Sequence, residues 1–175
     1  GAAVHNRAKK NGPLRVANAS RAGTRGFRAP EVLFNCAKQT VQIDVWSVGV
    51  ILLTIISGRY PFFVSSTDTA ALNELNELYG TKPLEDAARA LGKEFVTSTR
   101  VDDAGYVLNS GAWWRIICRK MYPKRPETVD ARDKPCMAPD DLPDAFYDLL
   151  SRLLALDPAE RITAAAALEH PVFDI

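Results

Sequence analysis

The sequence is poor in the residues that build disulfide and metal chemistry. Its 175 residues include three cysteines, Cys36, Cys118 and Cys136, widely spaced and with no CxxC pair. An odd, scattered set supports neither a disulfide framework nor a zinc site, and points to a reducing compartment. Only His5 and His170 could add imidazole, so no metal site is expected. No apolar run is long enough for a bilayer: the longest, Val45 to Ile56, is interrupted by Ser47, Gly49 and Thr54, and a span needs about 20 residues. That run reads as a buried core helix, and no membrane partner is expected. The start lacks the apolar segment of a signal peptide. It opens on Gly rather than Met, as a fragment or a processed chain would.

What is present is a mixed apolar and charged composition ordinary for a globular chain, with the charge unevenly placed. Residues 1–40 carry eight basic side chains against one acid, Glu31, a net +7. The whole chain is +1, which leaves −6 for residues 41–175. Such asymmetry points to an acidic partner for the front segment. A nucleic-acid binder would use the same charge, but there are no interleaved aromatics and no recognition helix with clustered arginines, so direct nucleic-acid binding is not expected.

Residues 1–19 are polar, basic and without period, and read as a disordered tail. Pro30 to Phe34 can make one or two helical turns, with Pro at an allowed first-turn position. Thr40 to Ser57 is predicted as a helix, apolar nearly all round and hence central, with Thr40 at its start and Gly58 as its left-handed stop. Gly49 in its interior costs about 1 kcal/mol relative to Ala, which predicts close approach of another backbone. Further helices are expected over Asp68–Tyr79, Pro83–Leu91, Ala112–Met121, Pro143–Leu156 and Ala164–Glu169, from three-four apolar spacing and Gly or Pro stops. Residues 93–109 are ambiguous, and residues 122–140, with Pro123, Pro126, Pro135 and Pro139, read as loop. No strand pairing is evident. The expected fold is mainly α, with six or seven helices.

Three stretches then fall in order: GTRGFRAPE (Gly23 to Glu31), DVWSVGVIL (Asp44 to Leu52) and LDPAERIT (Leu156 to Thr163). A lone Ala-Pro-Glu is weak. That triplet, a D-x-W-S-x-G helix start, and an Arg after Leu-Asp-Pro together resemble the C-terminal lobe of eukaryotic serine/threonine protein kinases. The resemblance covers residues 20–175, a partial kinase domain without the β-sheet of the N-terminal lobe, with a family insert at about 93–140. RAGTRGFRAPEVL with SGRYPFF is most similar to the Dbf-dependent cell-division-cycle kinases, a family that starts DNA replication in the nucleus. Residues 1–19 then read as the tail of an insert ahead of the Ala-Pro-Glu segment.

The resemblance assigns roles. Glu31 would pair with Arg161, 130 positions on, since a buried carboxylate suits a bidentate guanidinium; the alternative is two separate surface charges. Asp44, beside Trp46 in the D-x-W motif, would accept hydrogen bonds from the catalytic loop, or serve only as a first-turn acid favoured by the helix dipole. Thr24 would lie beside the catalytic base, with Gly26 and Phe27 shaping the pocket for the residue after the phosphoacceptor. Arg25 and Arg28 would favour a carboxylate or phosphate there; alternatively Arg28 makes a structural bond within the lobe. Trp113 and Trp114 would dock a Dbf-type activator subunit, or pack on the lobe itself.

The kinase reaction also needs a Gly-rich loop, a Lys on the phosphates, an H-R-D loop and a D-F-G aspartate for magnesium. None occurs in this chain, and each would precede residue 1. ATP and Mg2+ are therefore expected in the full-length parent and not on this fragment, which alone should be inactive. The parent would phosphorylate acidic protein substrates, replicative helicase subunits by the resemblance. A pseudokinase-like helical scaffold is the alternative, and upstream sequence with eroded motifs would favour it.

Overall fold

The computed structural model describes residues 2–6 (backbone), 23–102, 109–122 and 138–174. Among these, seven α-helices and one two-stranded antiparallel ladder pack around one main core, with a smaller cluster of Val45, Leu149 and Leu153 beside it. In chain order they are β1 (Ala2–Asn6), α1 (Pro30–Leu33), α2 (Gln42–Ser57), α3 (Asp68–Tyr79), α4 (Thr81–Ala90), β2 (Lys93–Thr97), α5 (Gly111–Met121), α6 (Asp144–Leu153) and α7 (Ala164–Leu168). The mainly helical class expected from the sequence is the one found.

α2 organises the rest. Its first turn starts two residues later than Thr40, whose hydroxyl accepts from Gln42 N–H at 3.3 Å. Gly58 ends it at φ 64°, the left-handed stop that glycine adopts without a Cβ penalty. One side, with Val45, Trp46, Val50, Leu53 and Ile56, is buried and packs on α5 and α6. The close approach at Gly49 is real, but side chains make it rather than backbone. A Cβ there would sit 2.8 Å from Leu154 Cδ2 and 3.0 Å from Leu153 Cβ. The helix is not apolar-buried all round, however. Val48 is 54% exposed, Ile51 49% and Ile55 61%, a row at helical spacing.

α3 begins at the expected Asp68, because the Thr67 hydroxyl accepts from Ala70 N–H at 3.2 Å. α4 begins at Thr81, ahead of Pro83, held by an exchange with Val101: Thr81 N–H donates to its carbonyl at 3.0 Å, and Val101 N–H donates to the Thr81 hydroxyl at 2.8 Å.

Two expectations are corrected here. The ladder was not evident in the sequence, and residues 1–19 read as a disordered tail. The backbone of Ala2–Asn6 instead pairs with Lys93–Thr97, Ala2 opposite Thr97 and Asn6 opposite Lys93. β2 is five residues with one buried side chain, Phe95, which meets Phe34 edge-on at 6.2 Å. So short a run, pairing across some ninety residues, leaves no period-2 signature. Residues 7–19, and 103–108 and 123–137 of the expected insert, lie outside the described residues. The second correction concerns the tryptophans. Trp114 is 0% exposed and Trp113 5%; their rings meet edge-on at 4.6 Å, and Tyr79 lies edge-on to Trp114 at 5.7 Å and tilted to Trp113 at 5.6 Å. The Trp114 indole N–H donates to Asn109 Oδ1 at 2.8 Å. Side chains enclosed in this way pack on the lobe itself, the alternative that the sequence reading left open.

Candidate functional site

The stretch from Gly23 to Glu31 is a turn laid across α2. Gly23 and Gly26 have φ of +87° and +81°, and Phe27 N–H donates to Thr24 O at 3.1 Å. Glycine therefore occupies the third place of a four-residue turn with positive φ, as a type II turn requires. It is also needed for space: a Cβ on Gly26 would lie 2.7 Å from the Phe63 carbonyl oxygen. The turn is tied down by Ser47, whose hydroxyl lies 3.1 Å from Phe27 O and 3.0 Å from Ile43 O. Its single proton serves one carbonyl at a time. Thr24 and Arg25 are exposed, and Phe27 is half-buried.

Arg25, Gly26, Arg28, Trp46, Phe63 and Asp68 line one shallow cleft at this turn, about 20 Å³, with room for roughly one water molecule, so a peptide side chain would lie over it rather than in it. Arg28 makes the structural bond that the sequence left open: its Nη1 donates to Asp68 Oδ1 at 2.8 Å, and its Nε to Gly23 O at 3.1 Å. The pair is part-buried, at 17% and 23% side-chain exposure. Asp68 was read from the sequence only as a helix start, and Ser47 only as a polar break in an apolar run. A hydroxyl inside an otherwise greasy helix was the available signal for Ser47. Nothing local marked Asp68 as the partner of a residue 40 positions earlier.

Below the turn lies a buried ion pair. Arg161 Nη1 and Nη2 donate to Glu31 Oε1 and Oε2 at 2.8 and 3.0 Å, with side-chain exposures of 0% and 1%. Arg161 also donates to Ala155 O at 3.0 Å and Gln42 O at 2.7 Å, and its Cζ stands 5.2 Å over the Trp46 ring. Four of the five guanidinium N–H groups are thus bonded, the kind of pairing under which a buried charge is tolerated.

Asp44 is exposed in the first turn of α2, and no bond from its carboxylate to another described residue is found. It heads the row of Val48, Ile51 and Ile55 by helical spacing. A larger cavity, about 450 Å³, lies between α3 and α5 against Leu78, Trp113, Ile116 and Ile117, away from Thr24. Among the described residues no group of three His, Cys, Asp or Glu side chains could hold a metal ion, and no helix is long and apolar enough to cross a membrane.

Comparison with known proteins gives a consistent result. The family model described as protein kinase domain matches residues 2–173, so the match takes in β1 as well as the helices. "Probable serine/threonine-protein kinase cdc7" of Dictyostelium discoideum is 45% identical over 153 residues, covering 87% of this chain and 13% of that protein. "Probable cell division control protein 7 homolog 1" of Encephalitozoon cuniculi is 42% identical over 156 residues, 89% of this chain and 39% of that protein. "Cell division cycle 7-related protein kinase" of Homo sapiens is 34% identical over 199 residues, 89% of this chain and 35% of that protein. The chain thus spans well under half the length of these relatives.

Proposed function

From the premise that this chain belongs to the protein kinase family, and resembles its cell-division-cycle 7 members, we propose that it is the peptide-reading part of a serine/threonine kinase. The single observation that supports this most is the Thr24–Arg28 turn, fixed over α2 by Ser47 and by the Glu31–Arg161 pair, with two guanidinium groups at one cleft. A protein substrate lies across that turn, its phosphoacceptor hydroxyl beside Thr24. Arg25 and Arg28 face the residue that follows it and favour a carboxylate or phosphate.

Kinases transfer the γ-phosphoryl group of ATP with Mg2+ clamping the charge. The described residues do not fit either group. They hold no acidic cluster for a metal, and the sequence has no G-x-G-x-x-G loop and no D-F-G aspartate. We assign those sites to other parts of the whole kinase. The exposed row headed by Asp44 supports this, since an apolar helix face with an acid at its head suits a catalytic loop packed on it. Without that part the chain alone is inactive in this reading. The likeness to cell-division-cycle kinases also carries, as proposals, a nuclear location, a role in replication initiation on helicase subunits, and a Dbf-type activator.

The test is a peptide array phosphorylated by the full-length kinase. Arg25→Ala with Arg28→Ala is expected to remove the preference for Asp, Glu or phosphoserine after the target residue. An unchanged preference would sink the reading.

A further inference from the structure

We propose that Asp68 is a specificity-determining residue, which sets how strongly the cleft under the Thr24 turn selects for negative charge on a peptide. The inference rests on the acid-reading role proposed above for Arg25 and Arg28, and deepens it. Asp68 is the first residue of α3, at the positive end of the helix dipole. Its Oδ1 accepts from Arg28 Nη1 at 2.8 Å, and both residues line the cleft with Arg25. The pair is neither enclosed nor fully solvated, with side chains 17% and 23% exposed, so its charges are felt by a side chain lying over the cleft. Two consequences follow from the contact. Asp68 and the Gly23 carbonyl together fix two edges of the Arg28 guanidinium, and so fix its orientation. At the same time the Asp68 carboxylate offsets part of the positive potential that an incoming anion meets. Coulomb energy is linear in the ligand's charge. The attenuation therefore acts once on a carboxylate and about twice on a dianionic phosphate, while a neutral side chain does not feel it.

The experiment compares the full-length kinase with its Asp68→Asn variant on three peptides that differ only after the phosphoacceptor: Ala, Asp or phosphoserine. The amide keeps the size and an acceptor oxygen for Arg28 and removes the charge. The Asp-to-Ala ratio of kcat/KM is expected to rise about threefold to fivefold, the worth of a part-exposed charge contact. The phosphoserine-to-Ala ratio should rise by roughly the square of that factor. Asp68→Ser, which removes the charge while the Thr67 cap on Ala70 N–H is kept, should give the same pattern, and serves if the Asn variant folds poorly. Ratios that stay put, or rates that fall equally on all three peptides, would show a mere brace and overturn the inference. The Arg25→Ala, Arg28→Ala enzyme separates the two claims. If it retains the acidic preference, the reading of the cleft fails. If it loses that preference while Asp68→Asn leaves the ratios unmoved, only the role of Asp68 fails.

Discussion

Arg161 uses four N–H bonds inside the protein, two on Glu31 and one each on the Ala155 and Gln42 carbonyls. Lysine at that place would carry the same charge on three donors without the planar fork, so it could not hold both carboxylate oxygens and the two carbonyls at once. Arg161→Ala should destabilise the protein by about 3–5 kcal/mol, because Glu31 would be left charged and buried. Arg161→Lys should recover only part of that loss. Urea unfolding checks both, and a Lys variant as stable as the parent would contradict the geometry. The pairing of Glu31 with Arg161 is foreshadowed by the order of the motifs, whereas the bond to the Gln42 carbonyl and the placement of Trp46 beneath the guanidinium required three separated segments to meet.

At the scale of elements, the end of the chain is fastened to α6 by one carboxylate. Asp148 lies 2.9 Å from both Arg152 Nε and His170 Nε2. The other ring nitrogen of His170, Nδ1, accepts from Val172 N–H at 3.2 Å, so Nε2 carries the proton that Asp148 receives. Partial burial pushes the Asp148 carboxyl up, but the hydrogen bonds from His170 and Arg152 outweigh it and hold the group below its ordinary value of 3.8. The unfolded chain therefore binds this proton more readily than the folded one. Its contribution to stability is complete above about pH 4 to 5 and fades as the pH falls through the lower folded value. Asp148→Asn should flatten this part of the acid limb in a plot of urea midpoint against pH. The parent and variant curves should converge at the lowest pH, and parallel curves would refute the assignment.

For the molecule as a whole, the informative surface is the one that remains uncovered. Val48, Ile51 and Ile55 stand about half exposed or more along α2, although single exposed apolar residues need no explanation and contiguous rows do. The isolated chain is expected to self-associate as its concentration rises, measured by sedimentation. Ile51→Lys with Ile55→Glu should suppress this with a change in stability within about 0.5 kcal/mol per site, as for surface positions. The same pair in the full-length kinase should impair folding or activity, since there the row is proposed to be packed. A chain that stays monomeric throughout, or a full-length kinase indifferent to the double variant, would argue that nothing covers this face.

The helices are legible in the amino-acid order, since apolar residues three and four apart with Ser, Thr, Gly and Pro at the ends are local signals that neighbours along the chain enforce. The same holds for the glycines of the Thr24 turn. The contacts between segments distant along the chain emerge only from folding. These include β1 against β2, Arg28 on Asp68 at the cleft, Ser47 on the turn, and two tryptophans that a helical wheel could not tell from a docking face. They depend on which surfaces close together in space, and the residues involved carry no mark of their partners until the core has formed.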